Sequence, residues 1–80
     1  MNTDLFTPEI KGREKRIFYY FVKDMPDNCT VKISPFTEQL RLAGSTLSES
    51  SVERYARWSR EWFGIEFHAL GKGVYRVQRI

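Results

Sequence analysis

The sequence predicts a small α+β domain of three helices, one short strand and a C-terminal β-hairpin. Three observations predict it. Apolar residues recur at a helical period between Glu9 and Met25 and again between Val52 and Phe63. Pro35 and Gly44 bracket a third, shorter segment in the way that proline opens and glycine closes a helix. From Ile65 onward the period drops to two, around a Gly-Lys-Gly centre, which is the pattern of a hairpin.

The chain has 80 residues, enough for one domain near the lower end of what folds without staples. A hydrophobic content of 41%, with 15% aromatic, can build a small core and argues against disorder. A single cysteine, Cys29, excludes an internal disulfide and a thiolate zinc site, and suits a reducing compartment. The first eight residues have neither the basic start nor the apolar run of a signal peptide. No stretch approaches the roughly 20 apolar residues of a membrane span, so a cytoplasmic location is expected. The net charge of +3 allows an anionic partner without demanding one.

Residues 1–8 read as an extended N-terminal segment with Leu5 and Phe6 as apolar anchors; Thr7 and Pro8 suit a cap and a first helical residue. The first helix is expected over 9–25, burying Ile10, Ile17, Phe18, Phe21, Val22 and Met25. Gly12 costs about 1 kcal/mol of propensity, which moves the start toward Arg13. Lys11, Arg13, Lys15 and Arg16 cluster on its wet side, partly offset by Glu9 and Glu14; contact with flanking phosphates is the alternative use of that cluster. The Met25–Asn28 segment, with its proline, breaks the helix. Thr30 to Ile33 is strand-like.

The second helix is expected over 34–43, with Ser34 as cap, Pro35 first, and Phe36, Leu40 and Ala43 facing inward. Residues 44–47 turn into the third helix, 48–63. Ser48 caps it, and Leu47 with Val52 can form a hydrophobic staple. Val52, Ala56, Ser59 and Phe63 share one face, while Ser50, Arg54, Arg57 and Glu61 share the opposite one. Gly64 closes this helix. The hairpin over 65–80 alternates Ile65, Phe67 and Ala69 with Glu66, His68 and Leu70, then Tyr75 and Val77 with Arg76 and Gln78.

Catalytic patterns are not found. The chain has one histidine, His68, and one cysteine, with no glycine-rich phosphate loop after a strand and no metal-ligand spacing. The carboxylates are scattered among basic residues. No enzyme activity, cofactor, metal or small-molecule ligand is therefore expected. Trp58 and Trp62 stand one turn apart. Trp62 is expected in the core against the first helix, and Trp58 is expected partly buried; exposed, it would join Leu5 and Phe6 as a partner surface.

The run Leu47-Ser48-Glu49-Ser50-Ser51-Val52-Glu53-Arg54-Tyr55 resembles a winged helix-turn-helix pattern: an apolar residue, Ser, two variable positions, Ser or Thr, Val, one variable position, then Arg. The run Gly71-Lys72-Gly73-Val74-Tyr75-Arg76-Val77 looks like the wing tip and returning strand of the same family. The likeness covers about residues 9–80. It departs at Ser59, where the family usually has a core aliphatic, and in a third helix about one residue longer.

The resemblance implies a recognition helix in the major groove, with Ser50, Ser51, Arg54 and Arg57 facing double-stranded DNA. Arg54 or Arg57 would form bidentate bonds to guanine, and Ser48 and Ser51 would donate to phosphate. Lys72, Arg76 and Arg79 would lie near the backbone or minor groove, positioning the protein without reading sequence. A chain that starts at Met1 and ends with its wing then reads as a small stand-alone transcriptional regulator, associated with the nucleoid when bound. Pairing of two copies on half-sites is compatible with this, as is an architectural or recombination role. The rival reading is a protein-docking module. It draws on the modest net charge and on Glu49, Glu53 and Glu61, and the face would then be a solvated one stitched by Glu53–Arg57 and Arg57–Glu61 pairs.

Overall fold

The computed structural model describes residues 12–80. The expectations for the N-terminal segment with Leu5 and Phe6, for the first helix before Gly12, and for Lys11 lie outside the described residues. The order is α1 (Arg13–Val22), β1 (Cys29–Lys32), α2 (Ile33–Leu42), α3 (Glu49–Phe63), β2 (Ile65–Gly71) and β3 (Val74–Arg79). The strands form one antiparallel sheet in the order β1-β3-β2. This is a small α+β arrangement, with three helices among the described residues.

The α1 helix stops at Val22, short of the expected Met25. Pro26 disfavours helical geometry at the residue before it, and the last turn closes with Met25 N–H donating to Val22 C=O. The α2 helix starts two residues earlier than expected. Ile33 serves two elements, since it is the first helical residue and yet its N–H still donates to Gly73 C=O at 2.8 Å. Lys32, not Ser34, is the N-cap, and no side chain caps this end. Pro35 falls at the third helical position, where its missing N–H again costs nothing because first-turn amides have no intrahelical acceptor.

At the other end of α2, Gly44 N–H donates to Arg41 C=O and Ser45 N–H donates to Leu40 C=O. This is the Schellman arrangement, and it needs the left-handed φ of +104° that Gly44 adopts. Ala43, expected to face inward, is exposed, as is Leu42 beside it. The α3 helix starts as its sequence predicts. Ser51 N–H donates to Ser48 Oγ at 3.3 Å, and both staple residues, Leu47 and Val52, join the core.

The core lies between the helices and one face of the sheet. Phe18 is its centre, in edge or tilted contact with Phe36, Tyr55 and Phe67 at ring-centroid distances of 5.7–5.8 Å. Val22, Ile33, Leu40, Val52, Ala56, Ile65 and Val77 fill the remainder, and each large apolar side chain contributes about 1.5–3 kcal/mol by leaving water. Ser59 is wholly buried on α3, and its Oγ has no hydrogen-bond partner. Phe63, expected with the buried stripe, is only half-buried, against the Tyr19 ring at 4.9 Å.

Hairpin alternation buries Ile65, Phe67 and Val77; Ala69 keeps the alternation opposite Tyr75, and the β2–β3 register shifts after it, between Ala69 and Gly71. Leu70 is the extra residue of this bulge, and Ala69 and Leu70 are both exposed. The tip is a two-residue turn, Lys72–Gly73, with φ of +55° and +74°. Two positive φ values make the turn whose twist suits a tight hairpin. Among the described residues no helix is long and apolar enough to cross a membrane.

Candidate nucleic-acid interface

The site is built on the N-terminal half of α3. With Val52, Ala56 and Ser59 turned inward, the 3.6-residue period sends Ser50, Arg54, Arg57 and Glu61 outward, and all four are exposed. The cap holds three hydroxyls together: Ser48 Oγ donates to Ser51 Oγ and lies 3.2 Å from Ser50 Oγ. Arg54 Nη2 donates to Ser51 Oγ at 3.2 Å. Ser51 therefore accepts twice and keeps its own proton for an outside acceptor. Free amides at the helix N-terminus add positive potential there, although Glu49 works against it.

The hairpin tip sits beside this helix end. Lys72, Gly73 and Val74 line a groove of about 340 Å³ together with Lys32, Ile33, Ser34 and Pro35 at the start of α2, and Glu49 and Glu53 of α3. The Ile33–Gly73 bond straps the tip in place. Lys72 is thus brought to the first turns of α3, where Glu49 and Glu53 are the helix residues that share its groove. Lys32 was not foreseen. The alternation of Cys29–Lys32, with Val31 inward, was the signal that turns it outward.

Arg57 is close enough to β3 for its charge to act on Tyr75. Tyr75 Oη donates to Glu53 Oε2 at 3.1 Å, joining α3 to the sheet. Burial pushes the Tyr75 phenol upward, the bond to Glu53 and its charge add to this, and the nearby Arg57 cation opposes them. The stitched face is absent: among the described residues neither Glu53–Arg57 nor Arg57–Glu61 forms an ion pair.

Arg76 stands apart. On β3 its neighbours Tyr75 and Val77 turn toward the helices, so Arg76 turns to the open face of the sheet, between Thr30 of β1 and His68 of β2. Arg79 is not free to meet a partner at all. Its guanidinium donates to Met25 C=O at 2.6 Å, Lys23 C=O at 2.5 Å and Asp27 Oδ1 at 3.2 Å, tying the end of β3 to the α1–β1 turn.

Two further groups bear on the site. Glu14 of α1 reaches the α2–α3 turn, where Ser45 Oγ donates to its carboxylate at 2.6 Å, and Thr46 N–H and Thr46 Oγ1 each donate at 2.9 Å. Trp62 packs against α1 as expected, but under a cation, with Lys15 Nζ 4.2 Å from its ring centre. It is half-buried and not in the core, and Trp58, against Tyr55 and Trp62, is more exposed than expected at 43%; Tyr20 on α1 is 64% exposed.

Among the described residues no three His, Cys, Asp or Glu side chains gather to hold a metal ion. No protein-family model, curated protein or solved structure matches this chain.

Proposed function

We propose that this domain is a winged helix-turn-helix that binds double-stranded DNA sequence-specifically, without enzyme activity, and acts as a small transcriptional regulator. On this reading α3 enters the major groove, Arg54 and Arg57 meet base edges, and Ser51 and Lys72 hold phosphates. The observation that carries the reading is the junction of the α3 N-terminus with the hairpin tip. Ser48, Ser50 and Ser51 gather at that helix end with Arg54, which has no ion-pair partner among the described residues, and Lys72 of the tip lines a groove against the same first turns of α3, opposite Glu49 and Glu53.

The test is titration of labelled random duplex across salt concentrations. The expected result is a linear fall of log affinity against log salt, about 0.9 per phosphate neutralised. No binding at low salt would overturn the reading. It would favour docking to a protein instead, through the exposed aromatic rings of Tyr20 and Trp58.

A further inference from the structure

We propose that, of the two outward arginines of α3, Arg54 sets sequence specificity and that Ser51 is the residue that positions it. The inference deepens the duplex-binding reading and rests on it. The two arginines differ in what holds them. Arg54 Nη2 donates to Ser51 Oγ at 3.2 Å. Among the described residues no side-chain hydrogen bond or ion pair holds the Arg57 guanidinium. Their neighbours explain the difference. Side chains three and four positions apart meet on a helix, so Arg54 has Ser50, Ser51, Arg57 and Trp58 beside it, with hydroxyls to accept and no carboxylate. Arg57 has Glu53 and Glu61 at that spacing, but Glu53 accepts from Tyr75 Oη instead.

Ser51 can hold Arg54 because it is itself held. Its N–H donates to Ser48 Oγ at 3.3 Å, and Ser48 Oγ donates to Ser51 Oγ at 3.2 Å. Ser48 is fixed in turn as the N-cap of α3, with Ser50 Oγ 3.2 Å away. Ser51 is half-buried, whereas Ser48 and Ser50 are exposed. The guanidinium is thus tethered through Nη2 to a chain of bonds rooted in the helix backbone. Its other N–H groups stay available for O6 and N7 of a guanine, the bidentate contact that distinguishes that base. An arginine has much rotamer freedom, and one already oriented loses less of it on binding. The orienting bond therefore acts on the base contact, while phosphate contacts made elsewhere do not feel it.

The test selects a target from random duplex and compares Ser51→Ala, Ser51→Thr, Arg54→Ala, Arg57→Ala and the Ser51→Ala, Arg54→Ala double variant. Alanine in place of Ser51 keeps the backbone N–H that the Ser48 cap uses, so the helix start survives, and circular dichroism checks it. Ser51→Ala should lower affinity for the matched target about three- to tenfold more than for a duplex mismatched at the Arg54 base, the range of one hydrogen bond. Ser51→Thr, which keeps the hydroxyl, should restore the discrimination. With Arg54→Ala already present, Ser51→Ala should remove no further discrimination. Arg57→Ala should weaken matched and mismatched duplexes alike. In the free protein, nitrogen relaxation should show the Arg54 Nε–H more ordered than that of Arg57, and loosened by Ser51→Ala. Undiminished discrimination by Ser51→Ala, or equal Arg54 order in wild type and Ser51→Ala, would overturn this inference with duplex binding intact. If wild type binds no duplex even at low salt, the reading of α3 falls and the inference with it.

Discussion

Replacing Glu14 with alanine should loosen the α2–α3 turn from α1 and lower stability substantially. The carboxylate accepts from Ser45 Oγ, Thr46 N–H and Thr46 Oγ1. Thr46 is exposed and water can replace Glu14 there, but Ser45 is 5% exposed and its hydroxyl would lose its acceptor. One bond to a charged group plus an unsatisfied buried hydroxyl amounts to about 2 kcal/mol, or roughly 8–16 °C in Tm for a domain this small. Thermal unfolding followed by circular dichroism measures it, and a Tm within about 2 °C of wild type would refute the reasoning. The pH dependence gives a second readout. Burial alone would raise the Glu14 carboxyl, but the bonds from Ser45 and Thr46, with Arg13 nearby, outweigh it and hold the group below its ordinary 4.5. A carboxyl lowered on folding contributes in full above its unfolded value and loses that contribution as pH falls through the folded one. The stabilities of wild type and Glu14→Ala should therefore converge in acid.

Three further outcomes are expected. Arg54→Ala should cost about 1–3 kcal/mol of specific affinity and relax one base position in a selected target, whereas Lys72→Ala should weaken all sequences alike and reduce the salt slope by about 1; fluorescence anisotropy on matched and mismatched duplexes separates them. Ser59→Ala removes a buried hydroxyl with no partner and favours the helix, so Tm should rise by roughly 4–8 °C, for about 1 kcal/mol; a fall would show that the hydroxyl is satisfied. Arg79→Ala should lower stability by about 1–2 kcal/mol and speed amide exchange in the Met25–Asn28 turn while changing duplex affinity less than twofold, since its guanidinium is spent on carbonyls and Asp27.

Local chemistry was legible in the sequence where one residue type has one physical use. Ser48 with Leu47 and Val52 located the start of α3, Gly44 and Gly64 located two helix ends, and Lys72–Gly73 located the hairpin tip. Failures came where a residue serves two elements or answers to a distant one. Ile33 keeps a hydrogen bond to the hairpin tip and begins a helix at once, so the cap pattern of Ser34 and Pro35 falls where the chain is already helical. The bulge at Leu70 obeys no period and interrupts the alternation before the tip. Within the site, spacing along α3 assigned Arg54 and Arg57 to the outward face, which they occupy. The same reasoning grouped Arg76 and Arg79 with Lys72, yet alternation on β3 sends Arg76 to the open face, and the turn residues Lys23, Met25 and Asp27 capture Arg79. Cross-chain acceptors such as Glu14 and Glu53 leave no periodic signal, because their donors lie 31 and 22 residues away.

Those long-range bonds determine how firmly α3 is presented. The α2–α3 turn is tied to α1 through Glu14, the middle of α3 to β3 through Glu53 and Tyr75, and the hairpin tip to α2 through Ile33 and Gly73. On the proposed reading, a recognition helix tied at its preceding turn and at its middle has little orientational freedom to lose on binding, and rigidity of this kind raises affinity by cutting the cost of ordering. The short tip carries the same logic. A two-residue turn strapped to a helix start cannot sweep across a groove as a long loop would. Lys72 is therefore held beside the start of α2, and on the proposed reading it and Arg54 meet a single stretch of duplex.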